Sequence, residues 1–505
     1  MELDATICYR ALRSRDARFD GRFFTGVTST GIYCRPVCPA RTPRVENCRF
    51  FACAAAAEEA GFRPCRRCRP ETAPGTPAWQ GSASTVSRAL RLIDDGALDD
   101  EGHGVENLAE RLGVGGRHLR RLFAEQLGAS PLAVAQTRRA HLARRLIEVS
   151  SLPMTRIALA AGFPNVRRFN ASIRERFQCS PSEIRRGARR AAGRELQLRL
   201  AFRPPLDWSA LLAYLAPRAI PGVERVDGDS YSRTVAQGDF AGVVRVSLAP
   251  GGGALVLSAP PSAAAVLAAL AARARSLFDL DADPAAIGSV LAADPVLAPL
   301  LAQHPGLRAP GAWDRFELAI RALLGQQISV AAATRLAGRL VRRWGRPLDA
   351  RTSAPEAVAS REPAWLFPRP QDLADADIAS LGMPGARADA IRGFASAVAS
   401  GAPLLELAAS SQQAVDRLTA LDGVGDWTAQ YIALRALKEP DAFPAGDLGL
   451  RRALPALAPG GEQHPLPTAA ALRRRAEGWR PWRGYAAMLL WQSDLPGPPR
   501  QRERN

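Results

Sequence analysis

The sequence predicts a multidomain, mostly helical chain, with a small α/β unit at its N-terminus and one strand-rich α+β unit near its middle. Three observations lead there. Seven of the eight cysteines fall within residues 1–70, and none follows Cys179. The run "VVRVSLAPGGGALVLS", residues 243–258, alternates around a glycine turn and reads as a hairpin. Residues 85–190, and everything from about 312 onward, show helical apolar spacing broken by glycine and proline. At ~100–200 residues per domain, a chain of 505 residues holds roughly three to five domains.

Composition bounds the class. Hydrophobic residues make up 47% of the chain, enough for several cores, and the net charge is +18. Such a charge favours a polyanionic partner. Almost all of it is arginine, with Lys438 the sole lysine, so a GC-rich coding bias would produce the same excess. The start, "MELDATICYRALRSRDARFDG", lacks a basic region followed by an apolar one and is not a signal peptide. Apolar stretches are broken by arginine and proline before ~18 residues, so no membrane span is expected. The expected location is the cytoplasm, where thiols stay reduced.

The first unit, residues 1–73, carries the cysteine pairs. Cys34 and Cys38 form C-x3-C; Cys65 and Cys68 form C-x2-C, with 26 residues between the pairs. Two short chelating pairs suit one tetrahedral zinc, whose binding would couple to folding. The alternative is four cysteines buried as small hydrophobes, which is how Cys8, Cys48, Cys53 and Cys179 read. Arg35, Arg41, Arg44, Arg63, Arg66, Arg67 and Arg69 predict a basic rim suited to phosphates. "FFTGVTSTGIYCRPVCPARTPRVENCRFF" with "AGFRPCRRCRP" resembles the N-terminal zinc domain of the bacterial Ada alkylation-response proteins. The resemblance implies that Cys34 accepts a methyl group from a DNA methylphosphotriester, irreversibly, with Cys38, Cys65 and Cys68 as the other zinc ligands. Turning a thiolate into a thioether removes one negative charge facing DNA, which would make methylation an electrostatic switch.

"PETAPGTPAWQGSAS", residues 70–84, reads as a linker. The second unit, residues 85–188, holds two helix-turn-helix patterns, "VENLAERLGVGGRHLRRLFAEQLG" and "MTRIALAAGFPNVRRFNASIRERFQCSP". Ala109 and Gly113 sit four apart, as do Ala158 and Gly162, and "RRAHLARRLIEVS" joins the two copies. Arg117, His118, Arg120 and Arg121 are candidate DNA contacts on the first recognition helix. Asn165, Arg167, Arg168 and Asn170 are the candidates on the second. A helical domain that binds no DNA is the alternative. The paired units resemble the DNA-binding domain of the AraC regulator family.

The third unit, residues 195–308, carries the strands. The fourth, residues 309–498, is helical, and scarcity narrows its chemistry. It holds no cysteine, and His304 and His464 are the only histidines beyond His141. No phosphate-binding loop or dinucleotide fingerprint is present, nor the P-C-H-R signature of an alkylguanine methyltransferase. "RLTALDGVGDWTAQYIALRAL" reads as helix, glycine hairpin, helix. Gly423 and Gly425 would allow a tight turn and offer N–H groups to a DNA phosphate. Asp447 follows Gly425 by 22 residues, in "DAFPAGDLGLRRAL". With "AIRALLGQQISVAAATRLAGRLVRRWG", these stretches resemble the helix-hairpin-helix superfamily of DNA glycosylases. "WRPWRGYAAMLLWQSDL" narrows the resemblance to the 3-methyladenine DNA glycosylase II subgroup. "LRLAFRPPLDWSALLAYLAPRAIPGVE" resembles that subgroup's TBP-like N-terminal domain.

The resemblance implies a fold of four parts: zinc domain, all-α double helix-turn-helix domain, α+β TBP-like domain and all-α glycosylase domain. It makes Asp447 the essential carboxylate, stabilising a developing oxocarbenium ion and activating water. Capping of the following helix is the structural alternative for Asp447, and Asp441 is the next catalytic candidate. Trp427 and Trp313, with Trp482 and Tyr485, are base-pocket candidates, with ordinary core packing as the alternative. Where lyases of the superfamily carry lysine, this chain has Trp427, which favours a monofunctional hydrolase. No iron–sulfur cluster is expected, because Cys179 is the last cysteine.

The joined expectation is excision of alkylated purines such as 3-methyladenine, with phosphotriester methyl transfer and promoter binding. The alternative is a transcription regulator whose glycosylase-like module is catalytically weak and only holds DNA. Expected partners are double-stranded DNA carrying alkylated bases or methylphosphotriesters, promoter DNA and RNA polymerase, with no membrane and a nucleoid-associated location.

Overall fold

The computed structural model describes residues 3–74, 85–94, 96–99, 104–150, 152–187, 195–348, 363–408, 410–457 and 465–493. Most of the 70–84 linker and the end of the arginine-rich stretch after Gly187 lie outside the described residues.

The N-terminal unit opens with α1 (Ala5–Ser14), capped by the Asp4 carboxylate, which accepts from the Thr6 and Ile7 amides. Four short strands follow, β1 (Phe24–Val27), β2 (Ile32–Cys34), β3 (Cys48–Phe51) and β4 (Arg63–Pro64), with α2 (Ala54–Glu59) between the last two. Their order is β3-β1-β2-β4, and only β2 and β4 run parallel. That parallel pair brings the two cysteine motifs together: Cys34 ends β2, and the Cys65 amide donates to the Tyr33 carbonyl.

The second unit is all helix: α3 (Thr85–Asp94), α4 (Val105–Arg111), α5 (Gly116–Leu127), α6 (Pro131–Val149), α7 (Met154–Ala160), α8 (Val166–Phe177) and α9 (Pro181–Gly187). Two helix-turn-helix pairs form, α4–α5 and α7–α8. Gly113 (φ 70°) and Gly162 (φ 81°) take the left-handed turn positions. Leu108, Ala109, Leu119 and Phe123 close the first pair; Ile157, Ala158, Phe169 and Ile173 close the second.

The third unit holds β5 (Leu196–Ala201), α10 (Trp208–Leu215), β6 (Glu224–Asp227), β7 (Ser230–Gln237), β8 (Phe240–Leu248) and β9 (Ala254–Ala259). They form one antiparallel sheet, β5-β9-β8-β7-β6. The predicted glycine hairpin is the β8–β9 connection, with Leu248 opposite Leu255. Helices α11 (Leu267–Leu277), α12 (Pro284–Leu291) and α13 (Leu297–Gln303) follow.

The last unit contains α14 (Arg315–Leu324), α15 (Val330–Trp344), a two-strand ribbon β10 (Arg346–Pro347) and β11 (Trp365–Leu366), α16 (Pro370–Ala374) and α17 (Gly385–Ala399). Then come α18 (Ser411–Thr419), α19 (Asp426–Arg435), α20 (Leu448–Leu457), α21 (Ala469–Ala476) and α22 (Arg483–Ser493). Two cores share this stretch. Residues 312–442 enclose one, with Leu323, Leu340, Ile391, Leu418 and Ile432 at its centre. Residues 443–490 instead join the core of the sheet, where Phe443, Leu450, Trp479 and Leu489 pack with Leu255 and Leu297. The α18–α19 hairpin therefore belongs to one core and the start of α20 to the other.

Candidate metal centre and candidate active site

The four cysteine sulfurs of the N-terminal unit lie within 4.8 Å of one another. Cys38 and Cys65 Sγ are 4.0 Å apart, and none of the four is in a disulfide. Tetrahedral zinc–thiolate bonds of about 2.3 Å require sulfurs a little under 4 Å apart, so this donor set fits zinc. The Arg35 amide donates to Cys68 Sγ at 3.3 Å, orienting that ligand from outside. Cys38, Cys65 and Cys68 are buried, whereas Cys34 is partly open. Cys34 faces a cavity of about 560 Å³, also lined by Thr25, Arg41, Arg63, Arg66 and Arg67.

The predicted basic rim needs three corrections: Arg44 lies exposed beside Glu46 and does not line the cavity. Arg35 turns inward to pair with Asp20 and to donate to the Cys68 carbonyl at 3.0 Å. Arg69 pairs with Glu71 and, across to α6, Glu148. Both bind carboxylates of the fold itself, because Asp20, the loop after Cys68 and α6 converge on them. Arg41, Arg63, Arg66 and Arg67 keep the rim position.

Arg117, His118, Arg120 and Arg121 all lie on the exposed face of α5. Arg120 is paired with Glu106 of α4 at 2.6 Å, and Arg121 with Glu125 at 2.9 Å. On α8, Arg167 and Arg168 are exposed. Asn165 is the N-cap of that helix: its side-chain oxygen accepts from the Arg168 amide at 2.8 Å. Its oxygen therefore serves helix initiation rather than base readout.

The second candidate site is a cleft of about 390 Å³ between the sheet-containing core and the hairpin core, lined by Asp447, Trp427, Tyr431, Trp313, Tyr214 and Trp491 among others. Asp447 sits in the turn before α20. Its Oδ1 accepts from the Leu450 amide at 3.0 Å and from Trp491 Nε1 at 3.0 Å; its Oδ2 accepts from Trp427 Nε1 at 2.9 Å. Asp447 is thus both the helix cap and a fixed carboxylate at the cleft. Trp427 stacks on Tyr431, with centroids 5.5 Å apart and planes 15° from parallel. These two are a helical turn apart on α19, so the same face presents both. Trp313 lines the cleft below the Arg233 guanidinium, and its indole N–H has no hydrogen-bond partner among the described residues.

The cleft lining also holds a largely buried charge cluster. Arg233 pairs with Glu317 at 2.7 Å, and Arg321 with Glu224 at 2.9 Å. Burial pushes the Glu224 carboxyl up, but Arg321 and Arg233 outweigh it, and its pKa lies below the usual value. Burial wins at Glu317, whose pKa lies above the usual value despite Arg233.

Three expectations fail here. Trp482 and Tyr485 do not line the cleft. Both are buried on and just before α22, packed edge to face at 5.7 Å, and the Tyr485 hydroxyl donates to Asp279 at 2.6 Å. They are core residues because 443–490 folds onto the sheet. Asp441 is buried against Arg480 and Arg483, away from the cleft, so it is no alternative base. Gly425 has an ordinary backbone (φ −77°) as N-cap of α19, with open space where a Cβ would stand. Gly423 is the member of the hairpin that requires glycine. It has φ 79°, and a Cβ there would lie 2.4 Å from that of Ala390. Its carbonyl accepts from Gln326 at 2.9 Å, tying the hairpin to the loop before α15. The sole lysine, Lys438, pairs with Asp279 at 3.3 Å and does not line the cleft.

Tyr431, Trp491 and Tyr214 were not singled out by sequence reasoning. The helical spacing of Trp427 and Tyr431 was a usable signal. Tyr214, over two hundred residues upstream, gave none.

Four family models match in order: the metal binding domain of Ada over residues 7–71, a helix-turn-helix domain over 108–187, the AlkA N-terminal domain over 197–314, and the HhH-GPD superfamily base excision DNA repair protein over 320–481. The chain is 41% identical over 497 residues to a probable bifunctional transcriptional activator/DNA repair enzyme AlkA of Mycobacterium tuberculosis, covering 97% of each. It is 35% identical to DNA-3-methyladenine glycosylase 2 of Escherichia coli over 298 residues, 58% of this chain and 96% of that one. The fold is similar to the 3-methyladenine DNA-glycosylase from Archaeoglobus fulgidus, with TM-score 0.50 and 22% identity, over 59% of this chain and 98% of that one.

Proposed function

Because the chain belongs to the family of bifunctional transcriptional activator/DNA repair enzymes of the AlkA type, we propose that its cleft hydrolyses the base–sugar bond of alkylated purines in DNA, with Asp447 as the catalytic carboxylate. The chain joins 3-methyladenine glycosylase activity to transcription activation. The observation that carries the catalytic assignment is the carboxylate held by two indole N–H groups beside the Trp427–Tyr431 stack. A target base must leave the duplex to reach it. Trp427 and Trp313 then offer aromatic faces to a cationic alkylated base. As the C1′–N bond breaks, the electron pair leaves with the base, and Asp447 stabilises the positive charge left on the sugar. Water adds to C1′, and Asp447 accepts its proton. No lysine stands in the cleft lining, which supports hydrolysis without strand cleavage.

The test is single-turnover release of 3-methyladenine by wild type and Asp447→Asn. The rate should fall by about 100-fold or more. Asparagine also turns an amide N–H2 toward one indole donor, so stability should drop by about 1–3 kcal/mol, and folding is measured beside the rate. Near-normal release would instead favour a regulator whose cleft only holds DNA.

The N-terminal unit supports a second activity. Cys34, Cys38, Cys65 and Cys68 would hold one zinc, which when bound keeps the sulfurs as thiolates. Cys34 Sγ attacks the methyl carbon of a DNA phosphotriester; the S–C bond forms, the C–O bond breaks, and its electron pair stays on the phosphate oxygen. Arg41, Arg63, Arg66 and Arg67 would hold the DNA backbone there. The exposed arginines of α5 and α8 support binding to promoter DNA, and activation calls for RNA polymerase as the further partner. Peptide mass spectrometry of the full chain after incubation with methylated DNA should place one added CH2 on Cys34. A methyl group only on Cys38 would overturn the assignment.

A further inference from the structure

At the inner end of the cleft, Arg435 of α19 is fixed by the carbonyls of Pro310 and Gly311. Its Nη1 donates both to the Tyr214 hydroxyl of α10 and, at 2.8 Å, to the Tyr431 hydroxyl. A guanidinium cannot accept a hydrogen bond. The Tyr214 oxygen thus accepts from a guanidinium, and its own hydroxyl makes no geometric hydrogen bond to an acceptor among the described residues. Tyr214, Tyr431 and Arg435 all line the same cleft as Asp447.

We propose that Tyr214 is the proton donor to the departing base, with Arg435 and Tyr431 stabilising the tyrosinate that results. The inference rests on the glycosylase reading above. A cationic alkylated purine departs neutral and needs no proton. A neutral purine departs as an anion unless it is protonated as the C1′–N bond breaks. Tyr214 gives its proton to a ring nitrogen of that base while the bond's electron pair goes to the base. Water adds to C1′ and its proton passes to Asp447, then through solvent back to the tyrosinate, which closes the cycle. Burial alone would push the Tyr214 phenol up. Arg218, which lies 3.8 Å from its ring centroid, Arg435 and the Tyr431 hydrogen bond outweigh burial, with a smaller share from Arg321, and hold its pKa below the usual 10. Those four side chains act on it most strongly.

The experiment uses the full chain on duplexes with a single hypoxanthine, the neutral probe, or a single 7-methylguanine, the cationic probe. Tyr214→Phe keeps the ring and removes only the donor. Expected is a loss of about 100-fold in single-turnover hypoxanthine release, with 7-methylguanine release held within about threefold. Wild-type hypoxanthine release should also decline on the alkaline side, below pH 10, and Tyr214→Phe should lack that limb. Equal losses on both probes would mean that the ring packs and does not donate, and would overturn the proposal. So would wild-type release of 7-methylguanine without any release of hypoxanthine. Release of neither probe by wild type would overturn the glycosylase reading as well.

Discussion

Asp447 makes three hydrogen bonds, one that caps a helix and two that fix its carboxylate at the cleft. The Leu450 contact starts α20, while the two indoles aim the carboxylate along the cleft. Trp427→Phe keeps an aromatic face but deletes one donor. The expected result is a fall of about tenfold or more in single-turnover rate with little change in DNA affinity. Tyr485→Phe makes the contrasting case. Deleting its hydroxyl removes one of the donors to buried Asp279, which keeps the Ala309 amide and Lys438, so thermal melting should report a loss of about 1–3 kcal/mol, while the rate of the folded enzyme is unchanged. Equal rate effects from the two substitutions would contradict the placement of Tyr485 in the core.

At the scale of elements, the hairpin, both helix-turn-helix pairs and the cysteine motifs were legible because each rests on short-range spacing. Their docking was not. Glu58 of α2 shows how the N-terminal unit is held: its carboxylate meets Tyr33 at 2.9 Å, Thr137 and His141 of α6, and Arg176 of α8. Burial pushes Glu58 up, but His141, Arg176 and Thr137 outweigh it and lower its pKa to about 2 from 4.5. A depressed folded pKa stabilises the protein above pH 4.5, and that stability is lost as pH falls toward 2. The effect corresponds to about 3 kcal/mol at neutral pH. Denaturant unfolding of wild type and Glu58→Gln should therefore converge as pH falls from about 4.5 to about 2. A gap independent of pH would show that the carboxylate's charge contributes nothing to docking.

Across the whole molecule, one buried ion pair links the DNA-binding helices to the glycosylase half. Arg88 of α3 meets both oxygens of Glu439, at 2.9 and 2.8 Å, where Arg91 and Ser411 also converge. Both partners are at most 2% exposed. Removing one leaves the other charged in a dry interface, which costs about 3–5 kcal/mol. Arg88→Met should lower the melting temperature, and calorimetry should show α3–α5 releasing in an earlier transition. An unchanged melt would mean that the helical unit is held by apolar contacts alone.

The sequence by itself determined the order of the units, the four thiols, the two recognition helices, the glycine hairpin and Asp447. Each is written in residues close enough along the chain for spacing to fix geometry. The tertiary structure decided what spacing cannot reach. It folded 443–490 onto the sheet core, which took Trp482, Tyr485 and Asp441 away from the cleft and brought Trp491 onto Asp447. It also joined Tyr214 to Arg435 across 221 residues. Those contacts arise from burial of apolar faces that match only in three dimensions, and no local pattern of residues encodes which face meets which.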